Sequence, residues 1–309
     1  MHVGRRTAIG AAAGLMLAPG FAKAAGSGSS GFSKNFLWGV ATSGHQTEGN
    51  NSSSDYWWME NANPTLFKEP SGDAVNSFLL WEHDLDIVKS LGLNTYRFSI
   101  EWSRIEPEEG LISVAMLDHY RQILDGCQQR GLKAVVSFNH FACPRWFAAK
   151  GGWSNPDAPQ LFARYCAIAA RALAAGMSHA CTMNEPNLAT IMAWIGLPRT
   201  FYDAHSKMLH AAGRALGVTN FSGGFMLAQE EFAAMIPIMG AAHQAARAAI
   251  KAVRPDLPVG LTLAISDDQA AGGNARRDQK RREAYEPWFK FAENDDFIGV
   301  QNYDRTVFG

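Results

Sequence analysis

The sequence predicts an α/β chain built as a (β/α)8 barrel, of which about six βα units are present, and three observations carry this. Short, near-continuous apolar strands alternate with amphipathic helices, the pattern of a parallel sheet covered on both faces. Polar residues sit at or just beyond the C-terminal ends of five different strands, at Gln46, Glu101, Asn139-His140, Asn184-Glu185 and Tyr303. A barrel gathers its chemistry from many strand ends onto one face, whereas a doubly wound sheet concentrates it at one switch point. Finally, neither G-x-G-x-x-G nor G-x-x-x-x-G-K-[ST] follows any strand, so the phosphate-cradling turn of a doubly wound nucleotide site is missing from the pattern.

Taken in order, the elements repeat one unit. Phe36–Ser43 reads as a first buried strand, Gly44–Gly49 as a polar loop, and Asn50–Pro70 as a long aromatic surface loop. Trp81, Leu85, Val88 and Leu91 recur at helical spacing and Gly92 stops the helix. A strand, Asn94–Ile100, follows. Leu117, Tyr120, Leu124 and Cys127 mark the next helix, ended by Gly131, and Lys133–His140 the third strand. Leu161, Tyr165, Ile168 and Ala172 then form a helix stripe ended by Gly176, before a fourth strand at His179–Met183. A longer helical region, Phe201–Val253, leads to strands at Val259–Ile265 and Phe297–Tyr303.

Composition narrows the class. With 309 residues, 47% of them apolar, and a formal charge of −1, the chain can bury a large core and lacks the bias of a disordered protein. Near-neutral charge speaks against a nucleic-acid partner, because phosphate binding needs clustered cations. The basic run Arg276–Arg282 is interrupted by Asp278 and followed by Glu283, and reads as a solvated helix face. The histidines show no metal-ligand spacing and no cofactor motif is present, so neither metal nor cofactor is expected.

Residues 1–24 read as an export signal. Arg5-Arg6 precedes a weakly apolar stretch, Thr7–Phe21, and Ala22-Lys23-Ala24 has the small-x-small form of a cleavage site. Paired arginines there look like a twin-arginine signal. The expected location is therefore periplasmic or secreted, in a bacterium. Thr7–Phe21 is shorter than the roughly 20 residues that span a bilayer, and no later stretch qualifies, so no membrane contact is expected after signal removal. Residues 25–31 form a Gly/Ser linker, leaving 32–309 as the folded domain. Cys127, Cys143, Cys166 and Cys181 show no short metal or redox spacing and read as buried thiols.

The run Thr182-Met183-Asn184-Glu185-Pro186 ends an apolar strand abruptly in an amide, a carboxylate and a proline. A carboxylate, an amide, a histidine and a glutamine on one aromatic-rimmed face suit sugar chemistry. Amides pair with hydroxyls, indoles stack on pyranose faces, and a Glu of raised pKa can protonate a leaving oxygen. Trp102, Trp146, Trp153 and Trp194 all lie near strand ends, where each serves equally well as ordinary core mass.

Phe36-Leu37-Trp38-Gly39-Val40-Ala41-Thr42-Ser43 with Gln46 and Glu48-Gly49, then Tyr96–Pro107, Lys150–Pro156 and Asn184-Glu185-Pro186, stand in an order and at intervals that resemble family 1 glycoside hydrolases of the β-glucosidase type. The resemblance implies a retaining β-glycosidase acting on terminal β-linked sugars. It assigns Glu185 as general acid/base, Asn184 to the sugar's 2-hydroxyl, and Gln46 and His140 to the glycone. Arg97 matches the arginine that supports the nucleophile, and Tyr303 the tyrosine that hydrogen-bonds it. Two features depart from the family. Phe141-Ala142 stands where the family has a Trp-Asp pair, and no strand-seven Thr-Glu-Asn-Gly motif, which carries the nucleophile, occurs in these 309 residues. Double displacement needs two carboxyls about 5 Å apart. The expectation is a glycosidase sequence truncated after strand six, with its activity impaired and its two edge strands exposed. The alternative is a non-catalytic carbohydrate-binding relic. Glu101 and Asp267 match no family position that could replace the nucleophile.

Overall fold

Six strands pair strictly parallel in one sheet: β1 Gly39–Ala41, β2 Thr95–Ser99, β3 Lys133–Asn139, β4 His179–Asn184, β5 Val259–Ala264 and β7 Phe297–Gln301, in that order. A short pair, β6 Asp267–Ala270 and β8 Arg305–Phe308, makes a second parallel sheet. The structure is a computed structural model that describes residues 31–33, 35–224, 232–273 and 275–309. The expected export signal lies outside the described residues, as does the linker apart from Gly31.

The described residues fall into two units, one ending at Phe36 and the other Leu37–Gly309. In the first, the Phe36 N–H donates to the Ser33 carbonyl and the rings of Phe32 and Phe36 lie 4.4 Å apart. The second holds both sheets. Its strands are joined through helices that include Ser77–Ser90, Val114–Gln129, Ala158–Leu173, Arg199–Ala215 and Phe232–Val253. Right-twisted parallel strands with helical crossovers curl into a barrel wall, and these six strands make a partial (β/α)8 barrel. All six residues of β5 are buried, which explains why its sequence is apolar apart from Thr262. Between sheet and helices, Phe98, Val136, Phe138, Ala180, Leu261 and Leu263 pack against Leu85, Leu124, Phe162, Tyr165 and Ile250.

The expected strands are all present, with shifted ends. The first runs only from Gly39 to Ala41 rather than Phe36–Ser43, because an edge strand has one neighbour and these three residues are the ones that pair with Thr95–Arg97. The last stops at Gln301, not Tyr303. Both edges expose apolar side chains: Val40 on β1, and Ile298 and Val300 on β7.

Three expectations need correction. The polar loop after β1 contains a helix, Gly44–Thr47. The long surface loop contains another, Asp55–Glu60, capped by the Ser54 hydroxyl, which accepts from the Trp57 N–H. Its Met59 is fully buried against Met208 and Leu209, and its Asp55 carboxylate accepts from the backbone N–H groups of Tyr56 and Cys143. Cys143, Met208 and Leu209 are distant in sequence, so no local period announces them. The basic run does form a helix, Ala275–Ala284, but Lys280 is buried rather than solvated, with its ammonium 2.6 Å from Asp268 on β6. A buried lysine holds such a position only when paired.

Trp102, Trp146 and Trp153 prove to be core aromatics. Trp102 stacks on Tyr165 with ring centroids 5.0 Å apart and meets Trp146 edge-on at 5.6 Å. All four cysteines are buried and free. Among the described residues, no helix is long and apolar enough to cross a membrane.

Among the glycines of the sheet the most crowded is Gly260, where a Cβ would sit 2.0 Å from the Phe297 carbonyl oxygen. Gly260→Ala must therefore push β7 away from β5. We expect a loss of about 1–3 kcal/mol in denaturant unfolding; an unchanged midpoint would contradict the pairing.

Candidate active site

Inside the curl, five strands each contribute one polar side chain to a single layer. Arg97 comes from β2, Ser137 from β3, Asn184 from β4, Thr262 from β5 and Gln301 from β7. The Arg97 guanidinium donates to Ser137 Oγ at 3.0 Å through Nε and to Asn184 Oδ1 at 2.6 Å through Nη2, with longer contacts to Thr262 and Gln301. Asn184 Oδ1 also accepts from Thr262 Oγ1 at 3.0 Å and Gln301 Nε2 at 2.7 Å. Three donors thus hold the carbonyl end of the amide. The Asn184 Nδ2 end is buried and meets no partner.

Two further orphan atoms stand beside it. Glu185, next in the chain and 4% exposed, has its Oε1 buried without a partner, as is Nδ1 of His140. Asn139 aligns with Met183 between β3 and β4, so His140 and Asn184 end adjoining strands. Buried polar atoms are nearly always satisfied. A group of three unsatisfied at adjoining strand ends has the character of a binding surface whose partner is a ligand.

The backbone is shaped to present them. Glu185 has φ of 47° and Phe141, just after His140, has φ of 70°; both occupy the left-handed region that costs a non-glycine residue about 1 kcal/mol or more. At Glu185 the turn is held by its N–H, which donates to the Thr262 carbonyl at 2.7 Å.

Electrostatics separate the roles. Burial raises the Glu185 pKa above its ordinary value, against the opposing pull of the Tyr303 hydroxyl and Arg97. This favours a carboxyl that keeps its proton. His140 is pushed down to about 3, first by burial and then by Arg97, so it is neutral and can donate or accept. Arg97 is half-buried, and among the described residues its hydrogen bonds go only to neutral acceptors.

The remaining expected residues lie past the C-terminal ends of β1 and β7. Tyr303 is largely exposed just past β7, and its hydroxyl donates to Gln301 Oε1 at 3.1 Å. Gln46, on the helix Gly44–Thr47, is exposed with its Oε1 accepting from Ser43 Oγ at 2.6 Å. Trp194 remains partly exposed beside a cavity of about 420 Å³ that Tyr303 and Gln301 also line. Neither Glu101 nor Asp267 serves as a second carboxylate here. Glu101 is buried among Ser99, Asn51 and Gly44, and Asp267 pairs with Arg305 at 2.6 Å on the small sheet. Among the described residues, no group of three or more His, Cys, Asp or Glu side chains is placed to hold a metal ion.

Ser137, Thr262 and Gln301 were not singled out from the sequence. Thr262 is the lone polar residue of the buried β5, Ser137 lies between Val136 and Phe138 inside β3, and Gln301 ends β7; a polar residue within or closing an apolar stretch was the available signal.

A folded pKa near 3 for His140 against an ordinary value of 6.5 fixes a sign. Its contribution to stability is full above pH 6.5 and declines as the pH falls toward 3, because only the unfolded chain takes up the proton. NMR titration should show its imidazole resonances static from pH 8 to about 4. An inflection near 6.5 would contradict its burial.

A family profile described as glycosyl hydrolase family 1 matches residues 29–299. The β-glucosidase of Agrobacterium sp. is 31% identical over 252 residues, which is 79% of this chain and 50% of that protein. β-Glucosidase A of Thermotoga maritima is 33% identical over 168 residues, 52% of this chain and 38% of that one. The chain therefore spans about half the length, or less, of these relatives. Among solved structures, β-glycosidase BGL167 superposes with a TM-score of 0.83 at 46% identity, covering 90% of this chain and 67% of that one. An apo β-glucosidase, 1317, gives 0.84 at 40% identity, covering 89% and 67%. The alternation of buried strands and helices, the layer of polar side chains inside the curl and the matched sequence agree, and the chain belongs to glycosyl hydrolase family 1.

Proposed function

We propose that this chain carries the acid/base half of a retaining β-glycosidase of β-glucosidase type, acting on terminal β-linked sugars. The observation that carries the reading is the set of orphan atoms, Asn184 Nδ2, Glu185 Oε1 and His140 Nδ1, which offers a sugar's hydroxyls and glycosidic oxygen what they need. Glu185, its pKa raised by burial, gives a proton to the departing oxygen and later draws one from water. Asn184 Nδ2 donates to the hydroxyl next to the anomeric carbon. His140 and the Gln46 Nε2 group meet the outer hydroxyls. Arg97 and Tyr303 hold the carboxylate that attacks the anomeric carbon.

That second carboxylate is not among the described residues around Glu185, so we propose that the 309-residue chain alone turns over substrate poorly. The same absence favours one alternative, in which the face binds a β-linked sugar without cleaving it. An aryl β-glucoside assay with calorimetric titration of a glucoimidazole decides among these. Binding without turnover supports the reading of an incomplete centre. Turnover lost in Glu185→Gln, by about 100-fold or more, supports the acid/base role and overturns the proposed impairment. Absence of both binding and turnover counts against a sugar site.

We also propose that residues 1–24 direct twin-arginine export to the periplasm or beyond, ahead of a 25–31 linker and a 32–309 barrel domain. Replacing Arg5-Arg6 with Lys-Lys should leave the precursor inside the cell, as fractionation and immunoblotting would show. Unchanged export would remove the assignment.

A further inference from the structure

Beside the barrel layer lies a second polar cluster that the proposed chemistry does not use. Two buried carboxylates bracket the helix Gly44–Thr47, which carries Gln46. Glu101, just past β2, accepts from Ser99 Oγ at 3.0 Å on Oε1 and from Asn51 Nδ2 at 2.9 Å on Oε2. The Ser99 hydroxyl, with its proton directed to Glu101, accepts from the Gly44 N–H at 2.7 Å. Glu48, the residue after the helix, accepts from Arg104 Nε at 2.7 Å and from the Tyr120 hydroxyl at 3.1 Å. That hydroxyl in turn accepts from the Glu101 N–H at 3.1 Å.

The contact is too close for ordinary packing. A Cβ on Gly44 would stand 2.5 Å from both Cγ and Oε1 of Glu101, so the helix backbone rests directly on the carboxylate. Burying a carboxylate this far from water is costly unless every oxygen is satisfied, and here each oxygen has a neutral donor. Such a group has little freedom to shift, and neither has what is tied to it. Meanwhile the Ser43 hydroxyl donates to Gln46 Oε1, which tethers that end of the amide while its Nε2 group can still donate to a ligand.

We propose that Glu101 is a positioning residue for Gln46. Through Ser99 it fixes the Gly44 N–H, and so the register of the helix that aims the Gln46 donor across the sugar-binding face. Asn51, itself held by the Ser103 hydroxyl at 2.9 Å, keeps the second Glu101 oxygen from drawing that hydroxyl away. This rests on the reading of Gln46 as a sugar contact.

The test uses the full chain with Glu101→Gln and, as a second route to the same bond, Ser99→Ala, each made with Gln46 present and with Gln46→Ala. Glucoimidazole affinity is measured by calorimetry and backbone amide exchange by NMR. If Glu101 acts through Gln46, either substitution weakens the probe about tenfold with Gln46 present and less than twofold once Gln46 is Ala, the size expected for one lost hydrogen bond. Exchange at Gly44–Thr47 should accelerate about tenfold while β4 stays unchanged. Equal losses in both backgrounds would mark a general structural role and overturn the proposal. Failure of the unsubstituted chain to bind would overturn the sugar reading instead. The exchange data then judge the positioning alone, and an unaltered Gly44–Thr47 helix in both variants overturns it.

Discussion

The carbonyl oxygen of Asn184 is the point on which the inner face depends. Donors from β2, β5 and β7 converge on this one atom of β4, so four strands are tied by a single acceptor. A carbonyl takes about two good hydrogen bonds readily, and a third is accepted only where charge assists, as the Arg97 guanidinium does here. With that end of the amide committed, the NH2 end has one direction left. The orientation of Asn184 is thus settled by the sheet before any ligand arrives, which is the sense in which such a face is preorganised.

Backbone strain serves the same end. Glu185 turns left-handed immediately after β4, and Phe141 two residues after β3. Each turn carries a cost that the surrounding hydrogen bonds must offset, at Glu185 through the N–H bond to Thr262. A straight continuation of either strand would send the next side chain to the opposite face. The strained turn keeps Glu185 beside Asn184.

What could be read from the sequence follows from which determinants are local. Strands β2 to β5 were legible because burial on both faces leaves an apolar run that stops at a polar residue, and Asn184, Glu185 and His140 were found by that stop. Ser137, Thr262 and Gln301 were not, since their importance lies in meeting across strands up to 204 residues apart, as Arg97 and Gln301 do. The helix Asp55–Glu60 was read as loop because its hold comes from Cys143, Met208 and Leu209. Strands β6 and β8 carry Asp-Asp-Gln-Ala and Arg-Thr-Val-Phe. The first of these has no strand pattern, and the pair is pinned by Lys280 on Asp268 and Arg305 on Asp267. A single indole gives no sign of whether it lines a face or fills a core; three of the four near strand ends fill the core.

The charge of Arg97 links the parts of the site to one another. It lowers the pKa of Glu185 and helps to hold His140 neutral, while its own bonds among the described residues are to neutral oxygens. A half-buried cation whose hydrogen bonds, among the described residues, all go to neutral groups favours an anion that approaches it. Were a carboxylate to settle against Arg97, the influence that draws the Glu185 proton away would be cancelled, and a negative neighbour would raise the Glu185 pKa further. The acid would then hold its proton most firmly when the attacking group is in place. In that arrangement proton-holding at Glu185 and anion-holding at Arg97 are one linked equilibrium, coupled through the Asn184 knot that sets the distance between them.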